Sequence, residues 1–151
     1  MYTRLLWILV SFFALTAHAQ SDAKVKWKYE ALKKSKTQYE ILMTATIEKG
    51  WHLYSQNQSE DAIALPTAVR LSPNPFLTPK GKVKESGKLY DQIDAATRTR
   101  ARYYADKVVF SQLIELKKNV KTSVNGEIEF MVCDDKQCLP PATVKFSVKL
   151  P

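Results

Sequence analysis

Cysteine is nearly absent from this sequence. The 151 residues contain only Cys133 and Cys138, so no multi-disulfide framework can carry the fold. Histidine is as scarce. Of the two present, His18 falls in the N-terminal leader described below, which leaves His52. One imidazole, two thiols and scattered carboxylates are too few for a zinc site of ordinary ligand set. There is no C-x-x-C or C-x-x-C-H and no βαβ pattern around the cysteines, which argues against a thioredoxin fold and covalent haem attachment. No apolar run of membrane-spanning length occurs after Leu15. Internal repeats, low-complexity tracts and a linker rich enough to divide the chain are likewise missing.

The composition is otherwise that of an ordinary globular domain, 45% hydrophobic and 25% charged. The N-terminus, "MYTRLLWILVSFFALTAHA", has the form of an export signal: Arg4 in the n-region, an apolar stretch from Leu5 to Leu15, and Ala17-His18-Ala19 as an A-x-A cleavage site. Cleavage after Ala19 is expected. Residues 20–151 then form one domain, exported and soluble, in a compartment where disulfides persist. An uncleaved anchor is the alternative, and the shortness of the run argues against it. The formal charge is +8, and about +7 without Arg4. Export argues against nucleic acid as the reason for that excess. The alternating Arg98, Arg100 and Arg102 would share one face of a strand, either as a solvated surface or as a patch for an anionic partner.

Two is the dominant period. Tyr39, Ile41, Met43, Ala45 and Ile47 alternate with mostly polar neighbours, as do Ile128, Phe130 and Val132, and again Val144, Phe146, Val148 and Leu150. Half-buried antiparallel strands follow from this pattern. Further strands are expected at 24–32, 51–56, 67–72, 82–90, 100–104 and 107–117. Turns are expected at Lys49-Gly50, Pro73-Asn74-Pro75, Ala105-Asp106-Lys107 and Asn125-Gly126, the last as a two-residue hairpin. The stretch 91–101 has room for one helical turn capped by Asp94. Helical periodicity is scarce elsewhere, so the expected fold is an all-β sandwich.

The two cysteines stand in "FMVCDDKQCLPP" (130–141), bracketing a polar loop between the last two strands. Pro140 and Pro141 stiffen its exit and restrict Leu139. A bridge here would close a loop of about six residues, worth ~2 kcal/mol of chain entropy against ~5 for a hundred-residue loop. Strand pairing already holds the two ends close, which reduces that gain. Asp134 and Asp135 disfavour a thiolate and Lys136 favours one. Spacing and placement leave two readings open, a passive hairpin clip and a redox couple.

"GWHLYSQ" (50–56) together with "VCDDKQCLPP" (132–141) resembles the N-terminal periplasmic domain of the DsbD family of thiol:disulfide interchange proteins, or protein-disulfide reductases. The order of elements fits from about Lys24 to Leu150. The resemblance implies an immunoglobulin-like antiparallel sandwich in the periplasm, with a cysteine pair that cycles between dithiol and disulfide and needs no metal or organic cofactor. It implies thioredoxin-like partners, among them proteins of cytochrome c biogenesis. Cys138 matches the cysteine that forms mixed disulfides and Cys133 the one that resolves them. His52 and Tyr54 match strand positions beside the cysteines, where the family usually carries tyrosines; two residues apart, they face the same way and could hydrogen-bond a thiolate or relay a proton. This sequence departs from the pattern in having four residues between the cysteines where better-known members have five. It also lacks a clear counterpart of the family's aromatic cap loop. Tyr90, in "ESGKLYDQID" (85–94), is the candidate shield. Nothing in these residues corresponds to the family's membrane or thioredoxin-like domains, so the chain is not expected to draw electrons across a membrane by itself, and a separate membrane electron donor is one candidate partner. The competing reading is an exported immunoglobulin-like binding or assembly domain whose bridge is only structural.

Overall fold

The computed structural model describes residues 21–151 apart from Asn119. The leader and its cleavage site lie outside the described residues. A short 3-10 turn (Asp22–Lys24) leads into nine strands: β1 (Val25–Lys33), β2 (Gln38–Ile47), β3 (His52–Tyr54), β4 (Ala68–Leu71), β5 (Leu77–Ile93), β6 (Arg100–Leu116), β7 (Ser123–Phe130), β8 (Val132–Cys133) and β9 (Ala142–Lys149). No helix among the described residues is long and apolar enough to cross a membrane.

The strands form an immunoglobulin-like sandwich of two antiparallel sheets. The larger has six strands in the order β1-β2-β6-β3-β8, with β5 along the remaining edge of β6, and the smaller is β4-β7-β9. The alternation read from the sequence is the alternation observed. Tyr39, Ile41, Met43, Ala45 and Ile47 of β2 are all buried, and they meet Val124, Ile128 and Phe130 of β7 and Phe146 and Val148 of β9 in one core. Aromatic contacts tie the sheets together. The Trp27 ring packs edge-on to Phe130 at 5.4 Å, and Tyr29 stacks on Phe146 at 5.1 Å.

Two expected turns are strand instead. Asn125-Gly126 sits inside β7, where Gly126 pairs with Leu71 on one side and Phe146 on the other. The apolar period runs through the dipeptide from Val124 to Phe130 without a break, and that continuity outweighs the local turn preference. The glycine serves close packing. A Cβ at Gly126 would stand 2.6 Å from the Arg70 carbonyl oxygen and 2.7 Å from the Phe146 ring. Ala105-Asp106-Lys107 is a bulge within a single long β6. The register jumps there, from Gly87 opposite Val108 to Leu89 opposite Tyr104, and Asp106 adopts φ 66°.

That bulge sets up the rest of the molecule. On its C-terminal side β6 pairs with β2 as far as Lys107; on its N-terminal side Tyr103 and Tyr104 pair with Tyr54 and Leu53 of β3. One strand thus changes neighbours part-way along. A second change occurs at Met131, where the chain leaves the small sheet at the end of β7 and enters the large one as β8. There Cys133 pairs with His52.

The close approach at Gly126 yields a test. Gly126→Ala should destabilise the fold by about 1–3 kcal/mol, because backbone on one side and a buried ring on the other leave the methyl no room. Urea unfolding measures it, and an unchanged midpoint would contradict this packing.

Candidate functional site

Residue parity along β3 separates scaffold from site. Leu53 points into the core with Val132, both fully buried. His52 and Tyr54 point to the opposite face of the large sheet, where the segment after β3 and the β5–β6 turn cover them. Tyr54 and Cys133 form a second small cluster with Ala64 and Ala101, against which Ala96, Tyr103 and Met131 pack.

The covering segment is pinned to the sheet by side chains. Gln58 imitates a strand residue: its carbonyl accepts from Arg102 N–H at 3.0 Å and its amide donates to the Arg102 carbonyl at 2.6 Å. The Glu85 carboxylate accepts from Ser55 Oγ (2.7 Å), the Gln56 N–H (2.6 Å) and the Tyr104 hydroxyl (3.1 Å). Thr67 Oγ1 donates to the Tyr54 carbonyl at 2.5 Å. Near the N-terminus, Ser21 Oγ donates to the Pro140 carbonyl behind the cysteine loop.

Asp94 is the polar centre of the site. It is 1% exposed. Its Oδ1 accepts from the N–H groups of Ala96 and Thr97, each at 2.9 Å. The expected cap is therefore present, though it closes a tight turn between β5 and β6 and no helix forms. Its Oδ2 lies 2.6 Å from His52 Nε2 and accepts from the Tyr54 hydroxyl at 3.1 Å. Burial is the largest influence on this carboxyl and pushes its pKa up, but the Thr97 N–H, His52 and Tyr54 together outweigh it, so the carboxylate is held below its ordinary value and is ionised. Burial also dominates at His52 and lowers its pKa despite the attraction of Asp94. The imidazole is neutral near pH 7, and the nitrogen facing the carboxylate must carry its proton. Burial, followed by the Asp94 charge, drives the Tyr54 pKa far up, so Tyr54 remains a hydrogen-bond donor throughout the physiological range.

The cysteines are joined by a disulfide. Their surroundings differ sharply: Cys133 is fully buried while Cys138 is exposed. The Tyr54 oxygen lies 3.0 Å from Cys133 Sγ and 3.9 Å from Cys138 Sγ. The loop between them is closed by its own polar groups. Asp134 N–H donates to the Gln137 carbonyl at 2.9 Å, and Asp134 Oδ1 accepts from the N–H groups of Lys136 and Gln137 at 2.8 Å each. Those N–H bonds hold the Asp134 carboxyl below its ordinary pKa.

Of the residues singled out in the sequence, Cys133, Cys138, His52 and Tyr54 converge here. Asp134 shapes the loop. Asp135 is an exposed neighbour whose charge reaches His52. Tyr90 stacks on Tyr103 at 5.4 Å, and Tyr103 in turn lies 4.3 Å from the His52 ring, which places Tyr90 at the outer end of an aromatic row away from the sulfurs. The turn nearest the cysteines carries small side chains, Ala95-Ala96-Thr97. Arg98 lies in that turn at φ 57°, off the strand face. Arg100 and Arg102 share a single carboxylate, Asp91 (2.8 and 3.2 Å), which offsets part of the charge of the expected arginine face. Sequence reading missed Tyr103 and gave Asp94 no part in the site. The only available signal for Tyr103 was its parity on β6; for Asp94 it was the cap motif alone.

The charge states imply a pH dependence with a definite sign. His52 is depressed from 6.5 in the fold, so acidification below about pH 6.5 protonates the unfolded chain first and removes stability. Asp94 adds a second loss as pH falls through its own depressed value, below 3.8. The urea midpoint of the parent chain should therefore decline from pH 6.5 downward, and His52→Phe should abolish the upper part of that decline. Identical pH profiles for the two proteins would contradict this arrangement.

A comparison with known families matches residues 17–150 to the model described as thiol:disulfide interchange protein DsbD, N-terminal. Among solved structures, the chain is similar to the N-terminal periplasmic domain of ScsB from Proteus mirabilis, at 16% identity and a TM-score of 0.55, covering 84% of this chain but only 46% of that one. It is also similar to the DsbD N-terminal domain of Neisseria meningitidis in the reduced form, at 14% identity and a TM-score of 0.51, covering 87% of this chain and 89% of that one. These likenesses establish the shared fold. No curated protein matches. With a buried and an exposed cysteine joined on the outer face of an immunoglobulin-like sandwich, and a family match over nearly its whole length, the chain belongs to the DsbD N-terminal family of thiol:disulfide interchange proteins.

Proposed function

We propose that this chain is a periplasmic thiol–disulfide exchange module, formed by residues 20–151 after removal of the leader, which passes electrons between thioredoxin-like partners through Cys133 and Cys138. A separate membrane protein supplies the reductant. The observation that carries this reading is the unequal exposure of the two sulfurs.

Exchange requires in-line attack of a thiolate on one sulfur and departure of the other. A protein thiolate can approach only the exposed Cys138 Sγ. The new bond forms there, the Cys133–Cys138 bond breaks, and Cys133 leaves with the electron pair as a thiolate. Negative charge then develops in a buried position, where it is costly unless met by a donor. The Tyr54 hydroxyl, 3.0 Å away and always protonated, is that donor. It gives up part of its bond to Asp94 Oδ2, and the neutral Nε2–H of His52 remains beside that oxygen to limit the loss. A second thiol of the partner then attacks its own sulfur in the mixed disulfide, releasing Cys138. The partner leaves as a disulfide and the module keeps two electrons and two protons. Transfer to an acceptor runs the same steps in reverse.

The clip reading loses its main support because the 134–137 loop is already closed by hydrogen bonds. A bridge between residues held so close adds little stability.

Cys138→Ser should abolish exchange, whereas Cys133→Ser should trap a mixed disulfide with a thioredoxin-like protein, and both should stay folded. The pair should equilibrate above about −300 mV, and a lower potential with resistance to glutathione would favour a purely structural bridge. Tyr54→Phe should slow exchange at least about tenfold by removing the bond to the leaving thiolate; an unchanged stopped-flow rate would rule out that role.

A further inference from the structure

The end of the sandwich farthest from the cysteines has a character of its own. Four segments meet there: the β1–β2 turn, the β4–β5 connection, the β6–β7 connection and the C-terminal residues. Leu116 N–H donates to the Thr37 carbonyl (2.7 Å), Lys117 N–H to that of Phe76 (2.9 Å), and Leu150 N–H to that of Thr122 (3.0 Å). Asn74 Nδ2 donates to Thr122 Oγ1 at 3.0 Å.

These segments carry an excess of lysine. Lys36, Lys117, Lys118, Lys121 and Lys149 are exposed, and none forms an ion pair among the described residues. The carboxylates at this end, Glu40 and Glu115, are already paired with Lys34 and Lys80. Asp91, Asp94, Asp134 and Asp135, by contrast, cluster at the cysteine end. There they stand with Arg98, Arg100, Arg102 and Lys136 and roughly balance, whereas the five lysines of the opposite end have no such counterpart among the described residues.

The same end is open between the sheets. A cavity of about 500 Å³ is lined by Leu71, Pro73, Pro75, Leu77, Ile114 and Val124, among others. Phe76 lies in the connection bordering it and is 39% exposed; Leu32, near the end of β1, is 45% exposed.

We propose that this end seats on an anionic phospholipid surface. Flexible ammonium groups on two connections and one strand end stand at the same end of the sandwich as an apolar opening and an exposed aromatic ring. That combination matches a bilayer interface, where diffuse negative headgroup charge overlies hydrocarbon. An acidic protein would need a shaped complement to a blunt tip built of separate turns. Seated this way, the domain rests on the membrane without inserting, its long axis raises Cys138 away from the surface, and partners meet the sulfur from the aqueous side. The segments that form this end all lie within residues 32–151.

Co-sedimentation of residues 20–151 with vesicles tests this. The chain should bind vesicles containing phosphatidylglycerol at low salt, ignore pure phosphatidylcholine, and be released by high salt. The triple variant Lys117→Glu, Lys118→Glu, Lys121→Glu should lower partitioning about a hundredfold, at roughly fivefold per lysine removed. Phe76→Ser should weaken it less, while the paired Arg100→Glu, Arg102→Glu variant and Cys138→Ser should bind as the parent does. Circular dichroism confirms that each variant is folded. Failure to bind anionic vesicles at low salt overturns the proposal. So does binding that survives the triple variant, or capture of an acidic protein by this end when vesicles are ignored.

Discussion

A single buried carboxylate holds the functional end of this molecule together. Asp94 is almost fully shielded from water, and an ionised carboxylate in that position must be satisfied on every side. One oxygen accepts two backbone N–H groups and so fixes the turn between β5 and β6. The other faces His52 and Tyr54 and so fixes the strand that carries them. Through Tyr54 the chain of contacts ends on the buried sulfur. Turn, strand and cysteine are parts of one electrostatic unit, and disturbing any of them costs the others their partners.

Around that unit the scaffold is held by many contacts besides the disulfide. The core lies on the other face of the large sheet and consists of apolar side chains from both sheets. The cysteine loop is closed by Asp134, and the segment after β3 is held by Gln58 and Glu85. A bond can be made and broken repeatedly only if neither state depends on it for folding. The sandwich places the cysteine pair on its outer face at one end, apart from the main core.

Much of this was legible in the sequence, because a half-buried strand writes its geometry as a period of two. β2 was read residue by residue, and the cysteine motif with "GWHLYSQ" identified the pair and its neighbours. Three things were not legible. Asn125-Gly126 has the composition of a hairpin turn, but the residue that needs the glycine, Phe146, is twenty positions away and across a sheet. Asp106 likewise looks like a turn residue, and only the register of β5 against β6 reveals a bulge. Asp94 was visible as a cap, yet its second role depends on β3 being delivered beside β6 by that same bulge. Long-range placement is what local pattern cannot encode.

The central claim is that chemistry enters through the exposed sulfur while the buried one departs. It is tested most directly by reacting the oxidised chain with a thioredoxin-like protein that lacks its own resolving cysteine, then mapping the adduct by mass spectrometry after acid quenching and proteolysis. The account predicts a single covalent link at Cys138 with Cys133 free. A link at Cys133, or no link at all with the internal bond intact, would contradict it.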